Sequence, residues 1–215
     1  MKLSRRLPAL RRTVRAGPEE RPIRYFLPSL LSGFVYGIFN AFLAHRARSS
    51  WFALMSAYHF LLVFARLYTV LTLLAKEGEK ERGRILRSTG VFLLLTDAIL
   101  GAAVSLLAAG AGGRAYRGIG IYGVAAYTLF QMILSLVRLL SARQAKKPVR
   151  LAIRKTETAE ALVSVIQLQA SLFIAFSDPA SAFCRTWNAA TGAIVFLNIA
   201  VLAVHSAVTG TAAGR

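Results

Sequence analysis

Six long apolar runs, separated by short polar segments, dominate the pattern of this chain. They cover residues 25–45, 51–75, 89–110, 119–141, 157–177 and 187–209. As a helix, each run can cross a hydrocarbon core of about 30 Å at about 1.5 Å per residue. The apolar positions do not alternate, and the runs exceed the roughly 9 to 11 residues of a barrel strand. The pattern therefore predicts an all-α polytopic membrane protein with six transmembrane helices arranged as three hairpins.

These runs divide the chain into three parts. We expect a basic cytoplasmic N-terminal arm over 1–24, a six-helix transmembrane domain over 25–210 and a cytoplasmic tail over 211–215. Apolar residues at helical spacing in the arm predict either an amphipathic helix on anionic headgroups or a disordered arm that only sets orientation. The arm has no unbroken apolar core of the kind found in a cleavable signal peptide, so we expect the first span to remain in the mature protein.

Composition and charge point the same way. The chain of 215 residues is 56% hydrophobic and only 17% charged, whereas soluble domains carry about 25% charged residues. Although the net charge is +18, the basic residues lie between apolar runs, so a nucleic-acid partner is not predicted. With a cytoplasmic N-terminus, 20 Lys and Arg fall in inside segments and five in outside segments. The positive-inside rule then predicts a multi-pass protein of the cell membrane with both termini cytoplasmic and anionic headgroups as partners.

A line of polar side chains along the fifth run is the most informative motif. Glu160, Ser164, Gln167 and Ser171 fall on one stripe of a helix, while bulky apolar residues cover the rest. Each polar group left unpaired in hydrocarbon costs several kcal/mol. We therefore expect this stripe to turn inward, against polar groups that the other helices supply.

Depth in the membrane suggests which groups meet. Measured from the cytoplasmic ends of their runs, Arg138 matches Glu160 and Gln131 matches Gln167, which predicts two rungs between the fourth and fifth helices. Arg66 and Asp97 also lie at similar depths, on the second and third helices, which predicts a second ion pair.

Further polar residues complete the predicted interior. His59 shares a face with Arg66, and Asn40, Asn198 and His205 lie on the first and sixth helices. These groups either line an ion or solute path, since intramembrane ionisable residues are functional candidates, or only lock helices together. The polar interior or transport path is predicted to comprise Arg66, Asp97, Gln131, Arg138, Glu160, Ser164, Gln167, His59, Asn40 and Asn198.

Small residues predict close helix packing, and aromatic residues predict the position of the membrane–water interface. Gly33 and Gly37 are four residues apart, a spacing that permits close approach of another helix, within the chain or from a second copy. Trp51 and Trp187 stand at the outer starts of two runs and fit an interfacial aromatic belt.

The sequence carries few signs of enzymatic chemistry. It has no HExxH, GxSxG, CxxC or phosphate-binding GxxxxGK[ST] motif. The three histidines fall on different helices at different depths, and Cys184 is the one cysteine, so neither a metal centre nor a disulfide is expected. We expect no cofactor and no enzymatic activity.

Three stretches resemble a widespread group of small six-span bacterial membrane proteins whose activity is uncharacterised. They are 58–66 (YHFLLVFAR), 116–127 (YRGIGIYGVAAY) and 148–176, above all AEALVSVIQLQASL within it. They lie within residues 58–176, which make up about half of the chain. The resemblance implies a six-span fold and brings no established activity.

The chain departs from that family's pattern at three positions. His59 stands where a second tyrosine is typical, and Lys147 stands where the family has a small polar residue. Glu160 replaces an aspartate, which preserves the carboxylate.

Three functional hypotheses follow. The polar interior favours a transporter or channel component for an ion or small polar solute. Short outer loops and small-residue packing favour a non-transporting subunit or scaffold, with a second copy or another membrane protein as partner. A lipid-acting intramembrane enzyme is the third, because the basic cytoplasmic rim would gather anionic headgroups. A wet, solute-sized cleft around the fifth helix would favour transport, and a dry, fully paired seam would favour the scaffold.

Overall fold

Six helices make up the computed structural model, which describes residues 22–75, 79–109, 120–141, 148–178 and 181–212. They are α1 (Pro22–Ala47), α2 (Ser50–Ala75), α3 (Glu79–Ala108), α4 (Gly120–Ser141), α5 (Pro148–Phe176) and α6 (Ala182–Ala212). No strand occurs in the described ranges, so the all-α prediction is confirmed for them. Most of the predicted N-terminal arm lies outside the described residues.

Two helices begin well before their apolar runs. α3 starts at Glu79 although its run starts at 89, and α5 starts at Pro148 although its run starts at 157. Lys, Arg and Glu are good helix formers, so they extend the helices beyond the apolar residues. Proline suits the first helical position, where no backbone N–H is needed. The end of an apolar run is therefore a poor guide to how far into its helix a residue lies.

In the part of the chain that the structure describes, four helices are long and apolar enough to cross a membrane, as expected of a multi-pass membrane protein. The spans are Leu27–Ala47, Ser50–Thr72, Gly83–Ala108 and Ala182–Thr211. In the described part of α4, the apolar stretch is the shorter Ala125–Leu134. Large apolar side chains are exposed along these helices, as expected of surfaces in contact with lipid. The count of six spans stays a prediction.

α5 lies at the centre of the bundle, in contact with α2, α3, α4 and α6. Only Val165, Leu172 and Phe176 are exposed among its described large apolar residues, whereas α6 exposes seven, including Trp187. Most of the apolar surface of α5 therefore meets other helices.

The largest contact between helices does not join neighbours in the sequence. α1 packs on α2 as neighbours in sequence, but α3 makes its largest contact with α6, and α4 packs on α5. The largest interface of the bundle therefore joins segments that are distant in sequence, while the next largest join consecutive helices.

The antiparallel contact between α3 and α6 depends on glycine. Its closest approaches are at Gly90, Gly192 and Gly210, which we call the glycine seam. A Cβ atom on Gly90 would lie 2.8 Å from both the Ala203 oxygen and the Ala207 nitrogen of α6. Such small residues let helix backbones approach closely, which is a common basis of helix association in membranes.

Local signals fix two helix ends. Arg48 follows α1 with a φ of 47°, and the Ser49 N–H donates to the Ala44 oxygen at 3.2 Å, which together form a Schellman-type end. Ser181 precedes α6, and its hydroxyl accepts a hydrogen bond from the Cys184 N–H at 3.2 Å, as an N-cap residue does.

Candidate functional site in the polar core

The polar stripe of α5 faces the inside of the bundle, as predicted. Glu160 is 1% exposed, Gln167 is 4% exposed, and Ser164 and Ser171 are also buried. Both serine hydroxyls donate to carbonyls of their own helix four residues earlier, at 2.8 Å and 2.7 Å. This leaves Glu160 and Gln167 as the side chains that reach other helices.

Glu160 forms a buried ion pair with Arg66 of α2. The Nη2 atom of Arg66 donates to Oε2 of Glu160 at 2.6 Å, and Arg66 is itself 1% exposed. Its Nη1 atom donates to the Ser29 carbonyl of α1 at 3.1 Å, and Nε donates to Thr156 Oγ1 of α5 at 3.3 Å. One guanidinium therefore ties α2 to both α1 and α5.

Gly33 leaves the space that this ion pair occupies. A Cβ atom there would lie 3.1 Å from Val63, 3.4 Å from Arg66 Nη1 and 3.8 Å from a Glu160 oxygen. A Cβ atom on Gly37 would likewise lie 3.2 Å from the Phe60 ring. The two glycines therefore serve close packing of α1 on α2 within the chain.

His59 and Gln167 meet two helical turns away from the ion pair. Their Nε2 atoms are 3.4 Å apart, and the glutamine amide is the donor when the imidazole is neutral. The imidazole proton then lies on Nδ1, which has no hydrogen-bond partner, and neither has Gln167 Oε1. Tyr36 packs edge-on against the imidazole, with ring centroids 4.5 Å apart.

A small polar cavity adjoins Gln167. Its volume is about 10 Å³, which is about the minimum that holds one water molecule. The residues that line it are Tyr36, Phe39, Asn40, Leu43, Trp51, Phe52, Thr128, Gln167 and Ser171. Together with Arg66, Glu160 and His59, these residues form what we call the polar core.

One predicted ion pair is wrong. Arg66 pairs with Glu160 rather than with Asp97, whose Oδ1 atom is buried without a hydrogen-bond partner. Two causes explain the error. α5 begins nine residues before its apolar run, so Glu160 lies deeper along its helix than the run implies. Depth also says nothing about which way a side chain points around its helix, and Arg66 points toward α1 and α5.

Other predicted members of the interior have mixed outcomes. Asn40 is buried, donates to the Tyr36 carbonyl at 2.9 Å and lines the cavity, so its placement is confirmed. Asn198 is exposed and donates to the Ile194 carbonyl of its own helix at 2.7 Å, so its placement was wrong. The side chains of Gln131 and Arg138 lie outside the described residues, and their two rungs stay predictions.

Sequence reasoning missed several contributors. Ser29 takes part through its backbone carbonyl, which no side-chain pattern reveals. Tyr36 and Thr128 share a hydrogen bond of 3.3 Å between α1 and α4, although each looks like an ordinary residue of an apolar run. Trp51 is buried in the cavity wall instead of lying in an interfacial belt, whereas Trp187 is exposed as a belt requires.

A second polar network joins α5 to α6. Gln169 Nε2 donates to Asn188 Oδ1 at 3.0 Å, and Thr191 Oγ1 donates to Gln169 Oε1 at 2.8 Å. Both polar atoms of this glutamine are therefore satisfied, in contrast to those of Gln167.

Another α5–α6 contact lies before the apolar run of α5. Lys155 is buried, and its Nζ atom lies 2.9 Å from Nδ1 of His205, which is consistent with donation to a neutral imidazole. Burial lowers the pKa of Lys155. His205 thus partners a lysine at one end of the bundle and does not join the polar core.

The arrangement defines a class of protein: a multi-pass helical membrane protein with a buried polar core around one central helix. Within the described ranges, no group of three or more His, Cys, Asp or Glu residues is placed to hold a metal ion. No family model, curated protein sequence or solved structure matches the chain. The resemblance to a six-span bacterial family therefore stays a prediction.

Proposed function

We propose that the chain is a transport component of the cell membrane, for an ion or a small polar solute that passes through the polar core. Six spans and cytoplasmic termini are part of this proposal, supported by the distribution of basic residues between the apolar runs.

The observation that carries the proposal is a set of buried polar atoms without partners in the polar core. Gln167 Oε1 and His59 Nδ1 have no hydrogen-bond partner. A buried polar group left unsatisfied costs about 1 to 3 kcal/mol. A side chain that only holds helices together is most effective when all its polar atoms are hydrogen-bonded, as those of Gln169 are. The unpaired atoms of the polar core therefore favour a binding site for a ligand.

The size of the cavity limits what the core can hold in this conformation. About 10 Å³ accommodates one particle of the size of water, not an organic solute. A proton or a dehydrated ion fits, whereas passage of a larger solute requires helices to move apart. The geometry therefore favours an ion over a solute.

Flux through reconstituted protein tests the proposal. We would measure uptake of H⁺, Na⁺ and K⁺ by proteoliposomes against empty vesicles, using wild type, Gln167→Met and Gln169→Met. The two variants make the same change on α5, but only Gln167 lines the cavity. Flux that is lost in Gln167→Met and retained in Gln169→Met supports the proposal. Wild-type flux no greater than that of empty vesicles overturns it.

The ion pair offers a further arm of this experiment. Replacing both partners, as Arg66→Met with Glu160→Leu, removes both charges while keeping apolar volume, a change that proteins often tolerate. We expect the double variant to fold and to lose flux. A folded double variant with wild-type flux would show that the pair only holds helices together.

A second candidate is the non-transporting scaffold, favoured by the way Arg66 is bound. Its guanidinium contacts two helices through three hydrogen bonds, which suits a rigid structural lock. Cross-linking in native membranes, followed by mild-detergent purification, would test it by recovery of a second copy or of another membrane protein. Recovery of monomer alone counts against the scaffold. The lipid-acting enzyme stays a prediction, which unchanged lipid profiles on deletion and overexpression would contradict.

A further inference from the structure

We propose that the cavity between α1, α2, α4 and α5 binds one small monovalent cation, such as Na⁺, through neutral side-chain oxygens. This deepens the proposed function and rests on it, because it names the class of ion that the polar core would carry. The proposal depends on which atoms face the cavity, on the charge of its wall and on its size.

Oxygen atoms dominate the polar part of the wall. Five lining residues carry a side-chain oxygen: Tyr36, Asn40, Thr128, Gln167 and Ser171. Gln167 is more than nine-tenths buried, and its Oε1 atom accepts no hydrogen bond. Carbonyl and hydroxyl oxygens are the ligands preferred by hard cations.

Several donors of these residues are used elsewhere. The Ser171 hydroxyl donates to the Gln167 carbonyl at 2.7 Å, and Asn40 Nδ2 donates to the Tyr36 carbonyl at 2.9 Å. Gln167 Nε2 is directed at His59. With these donors engaged, the Oε1 atom of Gln167 remains as an acceptor for a guest.

The charge of the wall selects a monovalent ion. Among the described residues that line the cavity, none is a carboxylate, a lysine or an arginine. Ca²⁺ sites use carboxylates among six to eight oxygens, and Mg²⁺ keeps several waters that a cavity of about 10 Å³ has no room for. Neutral oxygens alone suffice for monovalent cations, as in the carbonyl-lined filters of potassium channels.

Binding can be measured without transport. We would follow thermal unfolding of the purified full chain in neutral detergent, in NaCl, KCl, NH₄Cl or choline chloride at equal ionic strength. Because a ligand of the native state stabilises it by mass action, we expect the midpoint to rise with the concentration of at least one small cation, relative to choline. Gln167→Met should weaken the apparent affinity at least about tenfold, the effect of losing roughly 1.4 kcal/mol. Gln169→Met should leave the affinity unchanged.

Ser171→Ala provides a second variant if Gln167→Met does not fold, since it removes one lining oxygen with little change in volume. Equal midpoints in all four salts would indicate water as the occupant and would overturn the inference. A cation effect that survives in the folded cavity variants would place the ion elsewhere and would also overturn it. If the protein binds a cation but shows no flux, the cation site is supported and the transport function is contradicted. If it shows flux but binds no cation, the transport function is supported and the cation site is contradicted.

Discussion

Two interfaces hold this bundle together by opposite means. Along the glycine seam, α3 and α6 meet backbone to backbone, and a Cβ atom on Gly90 would lie 2.8 Å from atoms of α6. In the polar core, α1, α2 and α5 meet through a buried ion pair and hydrogen bonds. The seam depends on close backbone packing, whereas the core depends on charge balance and leaves Gln167 Oε1 and His59 Nδ1 unpaired. The glycine seam is suited to holding helices together, and the polar core has unpaired polar atoms that a ligand would bind.

The largest expected effect comes from breaking the charge balance of the polar core. Arg66→Met leaves Glu160 without its buried guanidinium partner, and we expect a loss of about 3 to 5 kcal/mol in unfolding free energy. The double variant with Glu160→Leu should recover most of that loss, because no buried charge remains. Denaturation with sodium dodecyl sulfate in mixed micelles measures both. A single variant as stable as wild type would show that the pair contributes little.

The glycine seam should respond to one added methyl group. In Gly90→Ala the new methyl meets backbone atoms, so we expect a loss of about 1 to 3 kcal/mol from overpacking. Gly101→Ala on the same helix is the matched control, since its Cβ atom would meet the Phe196 ring at 3.2 Å, which can move. There the higher helix propensity of alanine, worth about 1 kcal/mol, should offset the contact. Equal losses in the two variants would contradict backbone contact as the cause.

Arg48 lies outside both interfaces, and its substitution measures how much a local backbone conformation contributes to stability. Arg48 adopts the left-handed conformation, with a φ of 47°, that costs a residue with a Cβ atom about 1 to 2 kcal/mol. Arg48→Gly should therefore stabilise the chain by about 0.5 to 1 kcal/mol, after the entropy cost of glycine. Arg46→Gly, inside the last turn of α1, should destabilise it by about 1 kcal/mol. Thermal unfolding in detergent should separate the two by opposite shifts of the midpoint.

The smallest expected effect concerns the satisfied network between α5 and α6. A double-mutant cycle on Gln169→Met and Asn188→Leu should give a coupling energy of about 0.6 kcal/mol, the average for hydrogen bonds between membrane helices. Its unfolding free energies come from the same mixed-micelle titration. A coupling as large as that of Arg66 with Glu160 would show that this neutral network between α5 and α6 holds the helices as strongly as the charged pair of the polar core.

The candidate site was predictable in part. The spacing of Glu160, Ser164, Gln167 and Ser171 was enough to place these residues on one inward face, because hydrocarbon penalises polar groups wherever the partner lies. Their partners were harder to find. Asp97 has the negative charge and the approximate depth expected of a partner for Arg66. The rotation of the helices and the early start of α5 instead place Glu160 beside Arg66.

By itself, the sequence determined the helical fold, the membrane as solvent and the inward turn of the α5 stripe, since each follows from local periodicity and from transfer out of water. Only the tertiary structure decided that α3 packs on α6, that Arg66 pairs with Glu160 and that Asn198 stays outside. These outcomes depend on the rotation of each helix about its own axis. That rotation is set by the fit of side chains and glycines from segments far apart in the chain, which a local pattern does not encode.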